Sequence, residues 1–330
     1  MSASRPARNP VRAHVRGSSV PFPRGCHDDL VTADDAAAVD LFEEHRAVLE
    51  GVAYRMLGRV ADAEDVVQEA WLRWSAADRS AVREPRAYLV RVTTRLAIDR
   101  LRQVQARRET YVGSWLPEPL PTDTSSFATR TAPEGASRAV LTESVSLAML
   151  VVLESLTPLE RAVFVLREAF GFPFAEIAAA LDRGEPAVRQ LATRARQHVE
   201  ERRPRFEVDP AQQRDVTERF LAAATGGDLD GLLALLAPDV RLVSDAGGKA
   251  KAPVRIITSA DKVGRFLAAI GPQGEEYVSV FIEVNGGPAL LLHQDGRPYA
   301  VFVLDVVDGV VHSVYLLANP DKIAHLPVTG

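Results

Sequence analysis

The chain has 330 residues, of which 47% are hydrophobic, with a net charge of −5 at pH 7 and a single cysteine, Cys26. That length holds two or three domains, and the lone cysteine excludes a disulfide framework or cysteine-cluster metal site and fits a reducing, cytoplasmic setting. The longest apolar stretch, Val145 to Leu156, is broken by Ser146 and Glu154 and is too short to span a bilayer, so a membrane role has no support.

The charge is uneven. Arginines crowd Arg79 to Arg108 and Arg183 to Arg205, whereas the segment after Phe206 is rich in carboxylates and holds every lysine: Lys249, Lys251, Lys262 and Lys322. Two basic blocks followed by an acidic one suggest nucleic-acid-binding domains joined to a module with another task. Residues 1–33 mix arginine with Pro, Ser, Gly and Asn without apolar period, which predicts disorder, and no apolar core suggests a leader.

Helices are expected over 34–110. Leu41, His45, Val48, Val52 and Met56 form one stripe that ends at Gly58, a natural helix stop. Asp62, Glu64 and Asp65 place acids in the first turn of the next helix, and Val66, Val67, Ala70, Trp71 and Trp74 form its apolar side. Pro85 opens a third helix. Leu89, Val92 and Leu96 face inward, and Arg91, Arg95 and Arg102 line the opposite face, either solvated or set for phosphates. Residues 111–138 form a linker in which Trp115 needs an apolar partner surface.

Residues 139–205 return to helix. Thr157 caps a helix with Pro158 in its first position. Phe174, Ile177, Ala178 and Leu181 then share one face, Asp182-Arg183-Gly184 breaks the pattern, and Pro186 sits in the first turn of a second helix. Val188, Leu191, Ala192 and Ala195 form its inner face, with Arg189, Gln190, Thr193, Arg194 and Arg196 outside. This is the pattern of a helix-turn-helix DNA reader, and equally of a helical hairpin with a basic face.

The tail, 209–326, opens with two helices, the second ending before Pro238. Strands follow around Val240 and Leu242, over Val278 to Val284, Leu290 to His293, Tyr299 to Val307 and Val310 to Leu317. The turns between them are Asn285-Gly286, Asp295-Gly296 and Asp308-Gly309. An antiparallel meander after helices gives an α+β layout that often encloses a pocket.

Three features in this order resemble the extracytoplasmic-function sigma factors: Ala61 to Trp71, Pro85 to Arg108, and Leu156 to Arg161 followed by the helix-turn-helix. Tyr111-Val112-Gly113-Ser114-Trp115-Leu116-Pro117-Glu118-Pro119, Asp245-Ala246-Gly247-Gly248-Lys249 and Asn319-Pro320-Asp321-Lys322 resemble the subgroup with a fused SnoaL-like extension, the ECF41 type. The resemblance implies a multidomain protein: two all-α sigma domains (region 2, a helical bundle; region 4, the helix-turn-helix) and a C-terminal α+β cone of the NTF2-like kind.

It also implies roles. Asp62, Glu64, Asp65, Gln68 and Glu69 would meet the β′ clamp of core RNA polymerase, and region 4 the β flap. Arg91, Arg95, Asp99 and Arg102 would read the promoter −10 region. Arg183, Glu185, Arg189, Gln190, Thr193, Arg194 and Arg196 would read the −35 element. Trp115, Leu116, Pro117, Glu118, Pro119, Asp245, Gly247, Gly248, Lys249, Asn319, Pro320, Asp321 and Lys322 would form one regulatory system. The family usually has Gly in place of Ala246, and Gly and Ser in place of Asp182 and Gly184.

The tail is accordingly expected to dock on the linker and region 2, its acids facing the arginine stripe, and to tune a transcription initiation factor. It leaves room for a small ligand and implies neither cofactor nor metal. Asp245, His293, Asp305 and His312 are its acid–base candidates, but no motif fixes a reaction, and an enzyme is not expected. The rival readings are a polymerase-independent, ligand-sensing regulator and an enzyme fused to a DNA-binding anchor.

Overall fold

The computed structural model describes residues 33–108, 110–122, 146–202, 210–270 and 277–328. The extension over 1–32, the second half of the linker and the helical start expected near Val140 lie outside the described residues.

Three helices come first: α1 (Ala33–Leu57), α2 (Val60–Ser75) and α3 (Pro85–Arg108). Gly58 ends α1 with φ +68°, the left-handed geometry that favours glycine. The deepest face of α1 carries Phe42, Leu49, Val52, Ala53 and Met56, whereas Leu41, His45 and Val48 are only half-buried. Residues 51–58 are buried on every side, because more than one partner covers that end.

One of those partners is the second helical group, α4 (Leu147–Leu153), α5 (Pro158–Phe164, running on through a π-turn at Val165–Ala169), α6 (Phe174–Leu181) and α7 (Glu185–Arg202). Thr157 and Glu160 close a capping box with Pro158 in the first turn. The fully buried Arg161 ties the two groups together: its Nε donates to Arg55 O at 2.9 Å and it pairs with Glu154 at 2.5 Å. Both groups share one continuous apolar cluster.

The tail comprises α8 (Pro210–Gly226), α9 (Leu229–Leu235), β1 (Leu236–Asp245), β2 (Ile257–Thr258), α10 (Ala260–Ile270), β3 (Val278–Val284), β4 (Gly287–Gln294), β5 (Arg297–Val307), β6 (Val310–Leu317) and the short α11 (Pro320–Ile323). The sheet order is β2-β1-β6-β5-β4-β3. It is mixed and not the all-antiparallel sheet expected, because β1 runs parallel to β6. Helix α9 ends at Leu235, before Pro238 as expected; Pro238 itself lies inside β1, where the register shift between Leu236 and Arg241 accommodates its missing N–H.

One sheet face, with Leu242, Leu290, Phe302 and Leu316, packs on the tail's own helices and encloses a cavity, giving the expected α+β cone. The opposite face, with Val243, Leu291, Val301, Val303 and Leu317, is equally apolar. Strands that are apolar on both faces must be covered on both. The cover is Leu116 of the linker, Leu147 and Ala148 of α4, and Ile323 and Leu326 at and after α11. Helix α4 presents Leu147 and Ala148 to the tail, and Leu150 and Leu153 to the sigma-like helices. A helix apolar all round is stable because it is buried on two sides.

Candidate functional site

The linker motif and the two tail motifs meet at one buried point. Asp245, fully buried at the end of β1, accepts from the Tyr111 hydroxyl at 2.6 Å, Leu116 N–H at 2.8 Å and Lys322 Nζ at 2.6 Å. Lys322, 2% exposed, also donates to Leu116 O at 2.5 Å, and its ammonium sits 3.9 Å from the centre of the Trp115 ring. Trp115 thus meets a cation, and such a desolvated contact is worth about 2 kcal/mol. Asn319 caps α11 through Asp321 N–H at 3.1 Å and donates to the Tyr111 hydroxyl at 2.7 Å. Burial, reinforced by Asp245, pushes the Tyr111 phenol upward, which keeps its proton available to the carboxylate.

Gly247 and Gly248 take φ of +57° and +72°. A Cβ on Gly247 would fall 2.5 Å from Asn319 Nδ2, so the close approach itself requires glycine. Ala246 is outside the left-handed region, so the family's usual glycine is not needed there. Lys249 pairs with Asp321, but both are half-exposed and the contact adds little.

The linker continues from this knot onto the first helical group. Glu118 N–H donates to Gly58 O at 2.8 Å, and Glu118 Oε2 accepts from Val60 N–H at 3.1 Å, filling an open donor at the start of α2. Burial pushes the Glu118 carboxyl above the usual carboxylate range. The buried Tyr54 hydroxyl donates to Glu118 O at 2.7 Å and accepts from Asn285 Nδ2 at 2.9 Å. His325 reaches Pro119 O at 2.9 Å, while Leu120 N–H and O bond Asn285 at 3.1 and 2.8 Å. Pro117 lies against Gly58, where a Cβ would come 2.8 Å from the Trp115 ring. Pro320 occupies the first turn of α11.

Tyr54, Gly58, Tyr111, Asn285 and His325 also belong to this knot, beyond the residues that the resemblance assigns to the regulatory system. Tyr111 opens the linker motif, and Asn285 carries only a hairpin-turn signal. Tyr54 carries no local signal, because nothing in a helical stripe says that its hydroxyl meets a loop 231 residues later.

The arginine stripe of α3 does not face the tail, contrary to expectation. Arg95 Nε donates to Ala180 O of α6 at 2.9 Å, Arg91 lies over Tyr88 at 5.3 Å, and Arg102 pairs with Asp99 at 3.2 Å. The neighbour is the helix-turn-helix, while the tail reaches the first helical group near Gly58. The reason is geometric: the linker and α4 fix the tail around Gly58, while α6 packs along α3 at Arg95.

On α2, Glu64, Asp65 and Gln68 are exposed and Glu69 is half-exposed beside Arg73. Leu72 joins that surface at 55% exposure. Asp62 does not belong to it. It is buried, and its Oδ1 receives Arg100 Nε and Nη2 at 2.9 and 2.6 Å, so it fastens α2 to α3.

In the helix-turn-helix, Asp182 takes the left-handed turn with φ 55°, while Gly184 does not. Gln190, Thr193 and Arg194 are exposed on the outer face of α7, and Arg183 is exposed in the turn before it. Arg189 is held by Glu185 at 2.5 Å and lies 4.5 Å above Phe174, and Arg196 pairs with Glu168 at 2.6 Å. Phe174 is therefore a half-buried ring beneath two arginines and not a core residue.

The tail cavity encloses about 780 Å³. None of the four acid–base candidates lines it: Asp245 is in the linker knot, His293 bonds Pro327 O at 2.7 Å beneath the other sheet face, His312 is exposed and Asp305 is half-buried on β5. Among the described residues no cluster of three or more His, Cys, Asp or Glu suits a metal, and no helix is long and apolar enough to cross a membrane.

Comparison with known proteins gives a consistent picture. Residues 41–108 match the Sigma-70 region 2 family and residues 146–199 the Sigma-70, region 4 family. The chain is 41% identical over 301 residues to the ECF RNA polymerase sigma factor SigJ of Mycobacterium tuberculosis, covering 88% of this chain and 94% of that one. It is 35% identical over 279 residues to the probable ECF RNA polymerase sigma factor SigI of the same species, covering 84% and 92%. The crystal structure of M. tuberculosis SigJ superposes with a TM-score of 0.69 at 39% identity, over 88% of this chain and all of that one.

Proposed function

The chain belongs to the extracytoplasmic-function (ECF) RNA polymerase sigma factors, and from that premise we propose that its C-terminal domain tunes initiation by holding the linker and the two sigma domains in the closed arrangement described above. As a member of that family it directs transcription initiation with core RNA polymerase on promoter DNA. The finer assignments are ours. The α2 surface of Glu64, Asp65, Gln68, Glu69 and Leu72 meets the β′ clamp, and region 4 the β flap. Arg183, Gln190, Thr193 and Arg194 read the −35 element, and Arg91, Asp99 and Arg102, with Arg95 once released from Ala180, serve the −10 region. Domain limits follow the same reading: region 2 over 34–110, linker over 111–138, region 4 over 139–205 and regulatory domain over 209–326.

The carrying observation is the buried Asp245–Lys322 pair, both of whose members also bond the linker backbone at Leu116. A charged pair out of water contributes little net stability, and we take this one as specifying a single arrangement of linker and tail. Here that arrangement keeps α6 against Arg95 and so covers part of the −10 face. The tail acts as a binding and positioning module and not as a catalyst; the location of Asp245 and His293 away from the cavity supports this.

Run-off transcription with purified core polymerase tests the proposal. A chain ending at Ala318 lacks the Lys322 latch and is expected to give more transcript than the full chain, while one ending near residue 205 separates release from loss of the domain. Equal output from all three would remove the regulatory role while leaving the family assignment intact.

A further inference from the structure

The cavity in the tail has a composition that selects its occupant. Its wall is mostly aromatic and aliphatic, with Phe220, Phe266 and Phe302 inside and Tyr277 and Tyr299 packed together at 4.7 Å between ring centres. Among the described residues the one charged side chain lining it is Lys251, which is exposed. Among the described residues no carboxylate or histidine lines it, and Lys251 is the charge those residues offer an occupant. A space of about 780 Å³ with few polar groups suits a small organic molecule.

The same wall touches the linker knot from behind. Ala318 lines the cavity, its N–H donates to Asp245 O at 2.8 Å, and the next residue is Asn319, which holds Tyr111. Pro253 also lines the cavity, and its carbonyl accepts from the Ser244 hydroxyl, one residue before Asp245. Beyond it, Val254 O lies 3.6 Å from where a Cβ on Gly113 would stand.

We propose that the cavity binds a ring-containing organic acid, its rings among the aromatic walls and its anionic group at Lys251, and that the occupant steadies the linker knot through Ala318 and Pro253. The coupling rests on the regulatory reading above, whereas the binding site does not. An occupant that fills the apolar space restricts the movement of the segments carrying Asp245 and Asn319, so the knot opens less often.

The test uses the full chain with two probes, 1-pyrenebutyric acid and its neutral counterpart 1-pyrenebutanol. Saturable one-site binding is expected, with the acid preferred by up to about fivefold, the upper end for an exposed ion pair. Lys251→Gln should erase that preference. Ala224→Trp should weaken both probes at least tenfold by occupying the space, and Ser279→Trp, on the exposed strand β3, serves where the first variant folds poorly. Amide hydrogen exchange over residues 111–120 should slow on saturation with the acid. No saturable binding, or binding indifferent to both tryptophan variants, overturns the site; equal affinity of the parent for acid and alcohol overturns the charge assignment. Unchanged or faster exchange in a saturated protein overturns the coupling. If the truncations leave transcription unchanged while the acid still binds in the cavity, the regulatory reading fails and the site stands.

Discussion

Replacing Lys322 by methionine keeps most of the side-chain volume and removes the charge. Asp245 would stay fully buried with Leu116 N–H at 2.8 Å and the Tyr111 hydroxyl at 2.6 Å, but would lose its counter-ion at 2.6 Å. Removing one partner of a buried pair costs about 3–5 kcal/mol because the other charge is left uncompensated. The two surviving donors place the loss at the lower end, about 3 kcal/mol. For a unit the size of the tail each kcal/mol moves the midpoint by roughly 4 °C, so the thermal transition that includes the tail should fall by ~12 °C. Adding Asp245→Asn removes the stranded charge and should recover part of the loss, with a coupling energy of about 2 kcal/mol. Differential scanning calorimetry of the parent, both single variants and the double variant measures all of this. A shift below ~3 °C, or strictly additive losses, would falsify the idea that this pair holds the linker to the tail.

Three further outcomes are expected. Burial lifts the Glu50 carboxyl to about 7, so the folded state holds that proton more tightly than the unfolded chain and stability falls as pH rises from 4.5 through about 7; Glu50→Gln should flatten the melting temperature between pH 5.5 and 8 and raise it at pH 8, and a parent that gains stability across that window contradicts the assignment. Asp65→Lys should weaken binding to core polymerase with stability changed by no more than about 0.5 kcal/mol, whereas Asp62→Asn should destabilise region 2 through Arg100; a pull-down in which Asp65→Lys binds core normally removes this surface from the clamp contact. Arg194→Ala should cost about 1–3 kcal/mol at a single base position if it reads a base edge, while loss of a phosphate contact would lower affinity for all sequences alike; binding to a panel of −35 variants distinguishes the two, and no change of either kind places the reading face elsewhere.

Much of the protein was legible locally. Gly58, the Thr157–Glu160 box and the left-handed Asp182 are short-range devices set by a few adjacent residues, and each occurs where the sequence placed it. Strand periodicity marked β3 to β6, because alternation and Asn-Gly or Asp-Gly turns act over only a few residues. The motifs carrying Trp115, Asp245 and Lys322 could be grouped by resemblance. Their chemistry could not be written, since an aspartate and a lysine 77 residues apart give no sign of sharing a proton donor and acceptor at Leu116.

Other features depended on which surfaces meet. Strand β5 is apolar on both faces, yet only the packed chain identifies its second cover as Leu116, α4 and the segment of Ile323 and Leu326. Asp62 and Asp65 look alike in sequence and Arg100 of α3 reaches both, at 2.6 and 3.3 Å, but burial makes the Asp62 pair structural while Asp65 stays exposed. The parallel pairing of β1 with β6 depends on how the chain crosses the sheet, which no local period encodes. Sequence by itself marked most of the helices, strands β3 to β6 with their turns, and the family, whereas α10, β2 and α11 emerge only in the folded chain. Tertiary structure decided that the arginine stripe faces the helix-turn-helix and not the tail, because that choice rests on long-range burial of α4 and the linker, where every contribution comes from residues far apart in the chain.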